Sequence, residues 1–165
     1  MTESRAATYR EVATNIDLLL EDETDFIAAL STVVCELHRA FDHYHWTGFY
    51  RAIPDAAAYM GRMLVIGPYQ GGHGCLRIPF DKGVCGAAAR TGETQLVPDV
   101  ELFPGHIACS SSTRSEIVVP VFGRGGDLLA VFDVDSDDPD AFGEVDKLAL
   151  EAICKRLGAR FTHAA

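Results

Sequence analysis

Basic residues are scarce in this chain: 14 Lys and Arg stand against 24 Asp and Glu, a formal net charge of −10. Neither half holds a Lys/Arg cluster able to neutralise a run of phosphates, which excludes nucleic acid and anionic membrane as partners. Long hydrophobic runs are missing as well, since no apolar stretch approaches the roughly 20 residues that cross a bilayer. Polar residues, not a signal-peptide core, follow Met1-Thr2-Glu3-Ser4-Arg5, so a soluble cytoplasmic protein is expected. His73 with Cys75, and His106 with Cys109, lack the paired Cys-x-x-Cys or His-x-x-x-His partners of a structural zinc site. The glycines from Gly67 to Gly74 lack the Gly-Lys-Ser/Thr end of a phosphate loop. No metal and no cofactor are expected. Internal repeats and low-complexity linkers are also absent.

What is present is one ordinary domain of 165 residues, 48% hydrophobic, enough to build a core without metals or bridges. Its five cysteines fall into two kinds of surroundings. Cys35 in Thr-Val-Val-Cys-Glu-Leu and Cys154 in Glu-Ala-Ile-Cys-Lys-Arg border apolar helical faces, where packing alone explains a thiol. Cys75, Cys85 and Cys109 instead sit beside glycine or small polar residues, as in Gly-Gly-His-Gly-Cys, Gly-Val-Cys-Gly and Ala-Cys-Ser-Ser-Ser. Those are loop or helix-start settings, where a sulfur can meet a ligand. In a reducing compartment a disulfide among them is transient and catalytic.

The chain opens with two amphipathic helices, about residues 5–41, parted by Glu21-Asp22-Glu23-Thr24. Aromatic and β-branched residues from His45 to Ile53, and then Met63 to Ile66, read as neighbouring strands. Gly83 to Arg90 reads as a short helix ended by Gly92, with Cys85 in its first turn. Residues Gln95 to Ser115 read as a long irregular connection over a functional surface. Ile117 to Phe122 and Leu128 to Val134 form a hairpin around Gly123-Arg124-Gly125-Gly126, and a helix over about 143–160 closes the chain. The order predicts an α+β fold with a central antiparallel sheet, the terminal helices on one face and the irregular middle on the other. Sheet and pocket span about 45–136. The exposed outer helices offer a surface for a homodimer.

Strand alternation puts Trp46 and Tyr50 on one face, and Asp133 and Asp135 on one face of a later strand. Asp-Val-Asp after Leu-Leu-Ala-Val-Phe leaves two readings: the strand ends there and the acids meet water, or it continues and buries them. Glu116 opens another strand.

Taken together, several motifs in order resemble the free methionine-(R)-sulfoxide reductases, which are stand-alone GAF domains. They are Trp46-Thr47-Gly48-Phe49-Tyr50, Gly67-Pro68-Tyr69-Gln70-Gly71, Cys75-Leu76-Arg77-Ile78-Pro79 and Gly83-Val84-Cys85-Gly86, followed by Gly105-His106-Ile107-Ala108-Cys109, Ser115-Glu116-Ile117-Val118 and Asp133-Val134-Asp135-Ser136. The resemblance runs from about Asn15 to Leu157 and implies a single GAF domain over residues 1–165. It implies that Cys109 is the nucleophile, that Cys75 and Cys85 are the candidates to resolve it, and that Glu116, Asp133 and Asp135 line the pocket. Trp46 and Tyr50 would shape that pocket around the methyl-sulfoxide end of the substrate. Of the acids, Glu116 and Asp135 are the expected catalytic ones.

A thiolate attacks a sulfoxide sulfur only if the departing oxygen is protonated, so an acid must stand beside the nucleophile. Crowded carboxylates keep such a proton near neutrality, and the same field opposes a thiolate at Cys109. Backbone N–H groups of His106 to Ser112 and the substrate's ammonium are expected to relieve that conflict. Cys85 is expected to gain from the dipole of its helix. The attack makes a sulfenic acid, a second thiol closes a disulfide, and an external dithiol such as thioredoxin resets it. Two alternatives are a ligand-sensing GAF module without catalysis and a covalent chromophore carrier.

Overall fold

The computed structural model describes residues 2–107 and 109–163, which leaves Ala108 of the Gly105–Cys109 motif outside the described residues. Four helices and six strands follow one another: α1 (Thr2–Leu19), α2 (Phe26–Ala40), β1 (Trp46–Pro54), β2 (Arg62–Gln70), β3 (Arg77–Pro79), α3 (Gly83–Thr91), β4 (Gln95–Val97), β5 (Ser115–Phe122), β6 (Leu128–Ser136) and α4 (Glu144–Gly158). The strands make one antiparallel sheet in the order β3-β2-β1-β6-β5-β4. None of the helices among the described residues is long and apolar enough to cross a membrane.

Alternation divides the sheet into two cores. Phe49 of β1, Ile117 and Val119 of β5, and Phe132 and Val134 of β6 are buried with the apolar stripes of α1, α2 and α4. Residues of opposite parity, Trp46, Tyr50, Val118 and Val131, join Leu64, Ile78, Val84 and Ala88 in a second cluster under α3. The first core stabilises the sheet from behind and leaves the second face free to be shaped by loops. Asp25 caps α2 by accepting from Ala28 N at 2.8 Å, and Gly92 ends α3 in the left-handed conformation. The start of α4 is held by Asp146, which accepts from Gly143 N at 2.8 Å and is fully buried with Arg5 and Tyr9 as further partners.

Two short edge strands depart from the expected irregular middle. β3 and β4 lie in stretches too short to show alternation, and the sheet recruits them through pairing with β2 and β5. β2 also runs on to Gln70, past Gly67-Pro68, where proline would be a poor strand residue. The register between β1 and β2 shifts between Gly48 and Tyr50, opposite Pro68, so the irregularity accommodates it. The acidic segment is not a strand end, because β6 continues to Ser136 and both aspartates lie within it.

Helix α4 ends against β5 with no room to spare: a Cβ on Gly158 would stand 2.0 Å from Phe122 O, a backbone atom that cannot swing aside. Gly158→Ala is therefore expected to destabilise the fold by about 2 kcal/mol or more, visible as a lower thermal midpoint. A midpoint unchanged from the parent would show that α4 shifts freely on the sheet.

Candidate active site

Three adjacent strands set the acids side by side. Trp46 of β1 pairs with Asp135 of β6, which pairs in turn with Glu116 of β5. Two residues along, Gly48 pairs with Asp133, and Asp133 with Val118. Trp46, Tyr50, Glu116, Asp133 and Asp135 thus all face away from α1, α2 and α4, and all line one pocket. Glycine makes the aromatic wall possible. A Cβ on Gly48 would lie 2.6 Å from both Trp46 and Tyr69, so its absence lets the Trp46 ring stack with Tyr69 at 5.5 Å and with Tyr50 at 5.8 Å.

The glycine-rich stretch then folds over this wall. Trp46 Nε1 donates to Gly72 O at 3.2 Å, and Gly71 has φ +110 with its Cα hydrogen facing His45 O, where a Cβ would come within 2.6 Å. This path lines the pocket with His73 and Gly74 and brings Cys75, the next residue, to Cys109. Cys75 and Cys109 are joined by a disulfide with a Cα–Cα distance of 5.4 Å, both packed against the cluster that contains Trp46, Tyr50 and Val84. Cys85 is the third thiol there. It is free, buried in α3, and donates to Asp133 Oδ2 at 3.3 Å. Of the two thiols outside the pocket, Cys154 is buried and Cys35 half-buried; the latter is less enclosed than a packing cysteine was expected to be.

Burial and mutual repulsion dominate the electrostatics. No Lys or Arg lines the pocket among the described residues. Burial, then Asp133 and Asp135, push the Glu116 carboxyl well above its ordinary value. Asp135 rises for the same reasons, and Asp133 is pushed up to about 7, chiefly by burial, with hydrogen bonds from Cys85 and Glu116 opposing the rise. The site therefore retains protons near neutrality. Burial raises Tyr50 and lowers His106, whose Nε2 lies 3.9 Å from Glu116 Oε2.

Two expectations about the thiols need correcting. The first turn of α3 does not favour a Cys85 thiolate, because burial and the nearby Asp133 and Glu116 push the thiol well up. A helix terminus contributes about 1 kcal/mol, too little against a buried anion beside carboxylates. The backbone N–H groups expected to support Cys109 are partly committed as well: those of His106, Cys109 and Ser112 donate to Phe103 O, Ile107 O and Ser110 Oγ. The pocket also gains residues that sequence reasoning passed over, among them Ile107, Ser110 and Thr113, with Tyr69 behind Trp46. Tyr69 and Ile107 lay within motifs already noted; Ser110 and Thr113 carried no periodic signal.

A fold of this kind, with a pocket built by loops and α3 on the sheet face opposite α1, α2 and α4, defines a GAF domain, and the GAF-domain family matches residues 25–161. A free methionine-R-sulfoxide reductase of Neisseria meningitidis, solved with its substrate, superposes with a TM-score of 0.86 at 45% identity, over 94% of this chain and 89% of that one. The Escherichia coli free methionine-R-sulfoxide reductase is 34% identical over 149 residues, covering 90% of this chain and 86% of that protein. The Saccharomyces cerevisiae enzyme of the same name is 49% identical over 113 residues, 68% of this chain and 61% of that one. Within the GAF domains, the chain belongs to the free methionine-R-sulfoxide reductases, which are oxidoreductases.

A carboxyl whose value is raised by folding penalises the fold once it must ionise. For Asp133 the stability is complete below about 4, the value of an exposed aspartate, and is lost as pH climbs through about 7. Asp133→Asn removes that loss, so the variant is expected to melt several degrees above the parent at pH 8, the gap closing toward pH 4. A gap that does not vary with pH would show that Asp133 carries no such penalty.

Proposed function

We propose that this chain reduces free L-methionine-(R)-sulfoxide to L-methionine, with Cys109 as nucleophile and Cys75 as the thiol that resolves it. The observation that carries the reading is the bond from Cys75 to Cys109, the latter on the wall of a pocket that Glu116, Asp133 and Asp135 also line. In the reduced state the Cys109 sulfur attacks the sulfoxide sulfur while a carboxyl delivers a proton to the oxygen. The sulfur–sulfur bond so formed then breaks as the protonated oxygen passes to Cys109: the bonding pair stays with the substrate sulfur, which leaves as a thioether, and Cys109 is left as a sulfenic acid. Cys75 then attacks that sulfur, water departs, and the disulfide closes.

Glu116 and Asp135, directly opposite one another on β5 and β6, supply the proton. Like carboxyls in that position cannot both ionise cheaply, so one remains an acid where the oxygen must be protonated. Asp133 helps to hold the substrate's α-ammonium, the one positive charge brought into a pocket that has none of its own. Peptide-bound methionine lacks that ammonium and would leave buried carboxylates unpaired, which selects the free amino acid. Trp46 and Tyr50 enclose the methyl end. Cys85 serves neither as nucleophile nor as resolving thiol, because its high value and its hydrogen bond to Asp133 keep it a thiol. Thioredoxin, a dithiol of the reducing cytoplasm, exchanges with the Cys75–Cys109 bond and restores both thiols.

The test follows NADPH oxidation through thioredoxin reductase and thioredoxin with resolved free sulfoxides. The R epimer is expected to turn over and the S epimer is not. Cys109→Ser abolishes turnover by at least about 1,000-fold. Cys75→Ser stops thioredoxin-supported cycling yet still releases methionine in a single turnover. Equal rates on peptide-bound sulfoxide, or full cycling by Cys75→Ser, would overturn the reading.

A further inference from the structure

We propose that Cys85, Glu116 and Asp133 together form a binding site for a borderline-soft divalent cation of the zinc class, and that the bound ion excludes the sulfoxide from the pocket. A sulfur and two carboxylate oxygens from these residues lie within 4.8 Å of one another, all three side chains being buried. The Cys85 Sγ to Asp133 Oδ2 distance is 3.3 Å. On a tetrahedral ion with zinc–sulfur and zinc–oxygen bonds of about 2.3 and 2.1 Å, sulfur and oxygen ligands stand about 3.6 Å apart. A few tenths of an ångström separate the two.

A second, independent feature points at an occupant. Asp133 is only 5% exposed, yet its Oδ1 has no hydrogen-bond partner among the described residues. Buried polar atoms are nearly always paired, so this lone pair awaits a proton or a cation. The pocket supplies no Lys or Arg of its own among the described residues. Thiolate ligation selects the ion: Mg²⁺ and Ca²⁺ prefer oxygen alone, whereas one sulfur with two carboxylates suits Zn²⁺ or Cd²⁺. Binding displaces the Cys85 proton and whatever protons the two carboxyls hold, and the coordination is completed by solvent or by His106, which stands beside Glu116.

Because Cys85 is outside the Cys75–Cys109 bond, the site persists in the oxidised chain. That separates it from simple capture of a metal by the reduced thiol pair. The exclusion of sulfoxide rests on the reductase reading; the binding of the ion does not.

The experiment uses the oxidised protein, free of added reductant, titrated with Zn²⁺ against a chromophoric chelator and with Cd²⁺ for its thiolate charge-transfer band. One ion per chain and a band are expected. Cys85→Ala should lose the band and weaken Zn²⁺ by on the order of 100-fold or more, and Asp133→Asn should weaken Zn²⁺ while keeping the band. Emission of Trp46, the lone tryptophan, verifies the folded pocket in each variant. Cys35→Ala should bind as the parent does. Binding that survives Cys85→Ala, binding lost in Cys35→Ala, or no ion held by the parent would each overturn the site. Free methionine sulfoxide should weaken the apparent Zn²⁺ affinity about tenfold at about ten times its own Kd. Zinc bound at Cys85 but indifferent to the sulfoxide would overturn the exclusion and count against the reductase pocket, leaving the metal site standing.

Discussion

Three carboxylates on the sheet and a thiol on α3 share one buried pocket that no Lys or Arg lines among the described residues, and the surrounding architecture is organised around tolerating that charge. Antiparallel register places Asp135 between Trp46 and Glu116 and sets Asp133 two residues along the same face. A sheet would ordinarily fill such positions with apolar side chains. The cost is borne by the core on the opposite face, where α1, α2 and α4 close over Phe49, Ile117, Val119, Phe132 and Val134. The same strands thus carry both the stabilising surface and the acidic one, out of phase by one residue, a single step of the pleat.

Protonation is the means by which the patch survives, and it is also its chemistry. Burial raises all three acids, and neighbouring carboxylates add to the rise at Glu116 and Asp135, so protons are stored where a sulfoxide oxygen would need one. Cys85 is drawn into the same system. Its hydrogen bond to Asp133 lowers that carboxyl somewhat, while the carboxylates raise the thiol. A cationic ligand relieves the whole group at once, whether an ammonium or a divalent ion. The Cys75–Cys109 bond instead joins a glycine-rich to a serine-rich loop, off the sheet that carries the acids.

Much of this arrangement was legible residue by residue. The helical stripes, the two strong strands of the hairpin, the left-handed Gly92 and the loop settings of Cys75 and Cys109 all follow from local pattern. The three-residue strands β3 and β4 did not, since nothing in Arg77–Pro79 or Gln95–Val97 is periodic until β2 and β5 lie beside them. The extent of β6 was undecidable for a related reason. Asp-Val-Asp looks like a strand running into water, and only the neighbours β1 and β5 turn it into a buried acid site.

The amino-acid sequence by itself determined the α+β layout, the division of the cysteines into pocket and packing thiols, and the resemblance that pointed to a sulfoxide reductase. Those depend on periodicity, turn chemistry and short motifs, which are properties of neighbours along the chain. Tertiary structure alone decided that Cys75 is the bonded partner of Cys109, that Cys85 serves Asp133 as a hydrogen-bond donor, and that one oxygen of Asp133 is unpartnered. The two contacts join groups 34 and 48 positions apart, and such meetings are set by sheet register and loop closure, which no local pattern encodes.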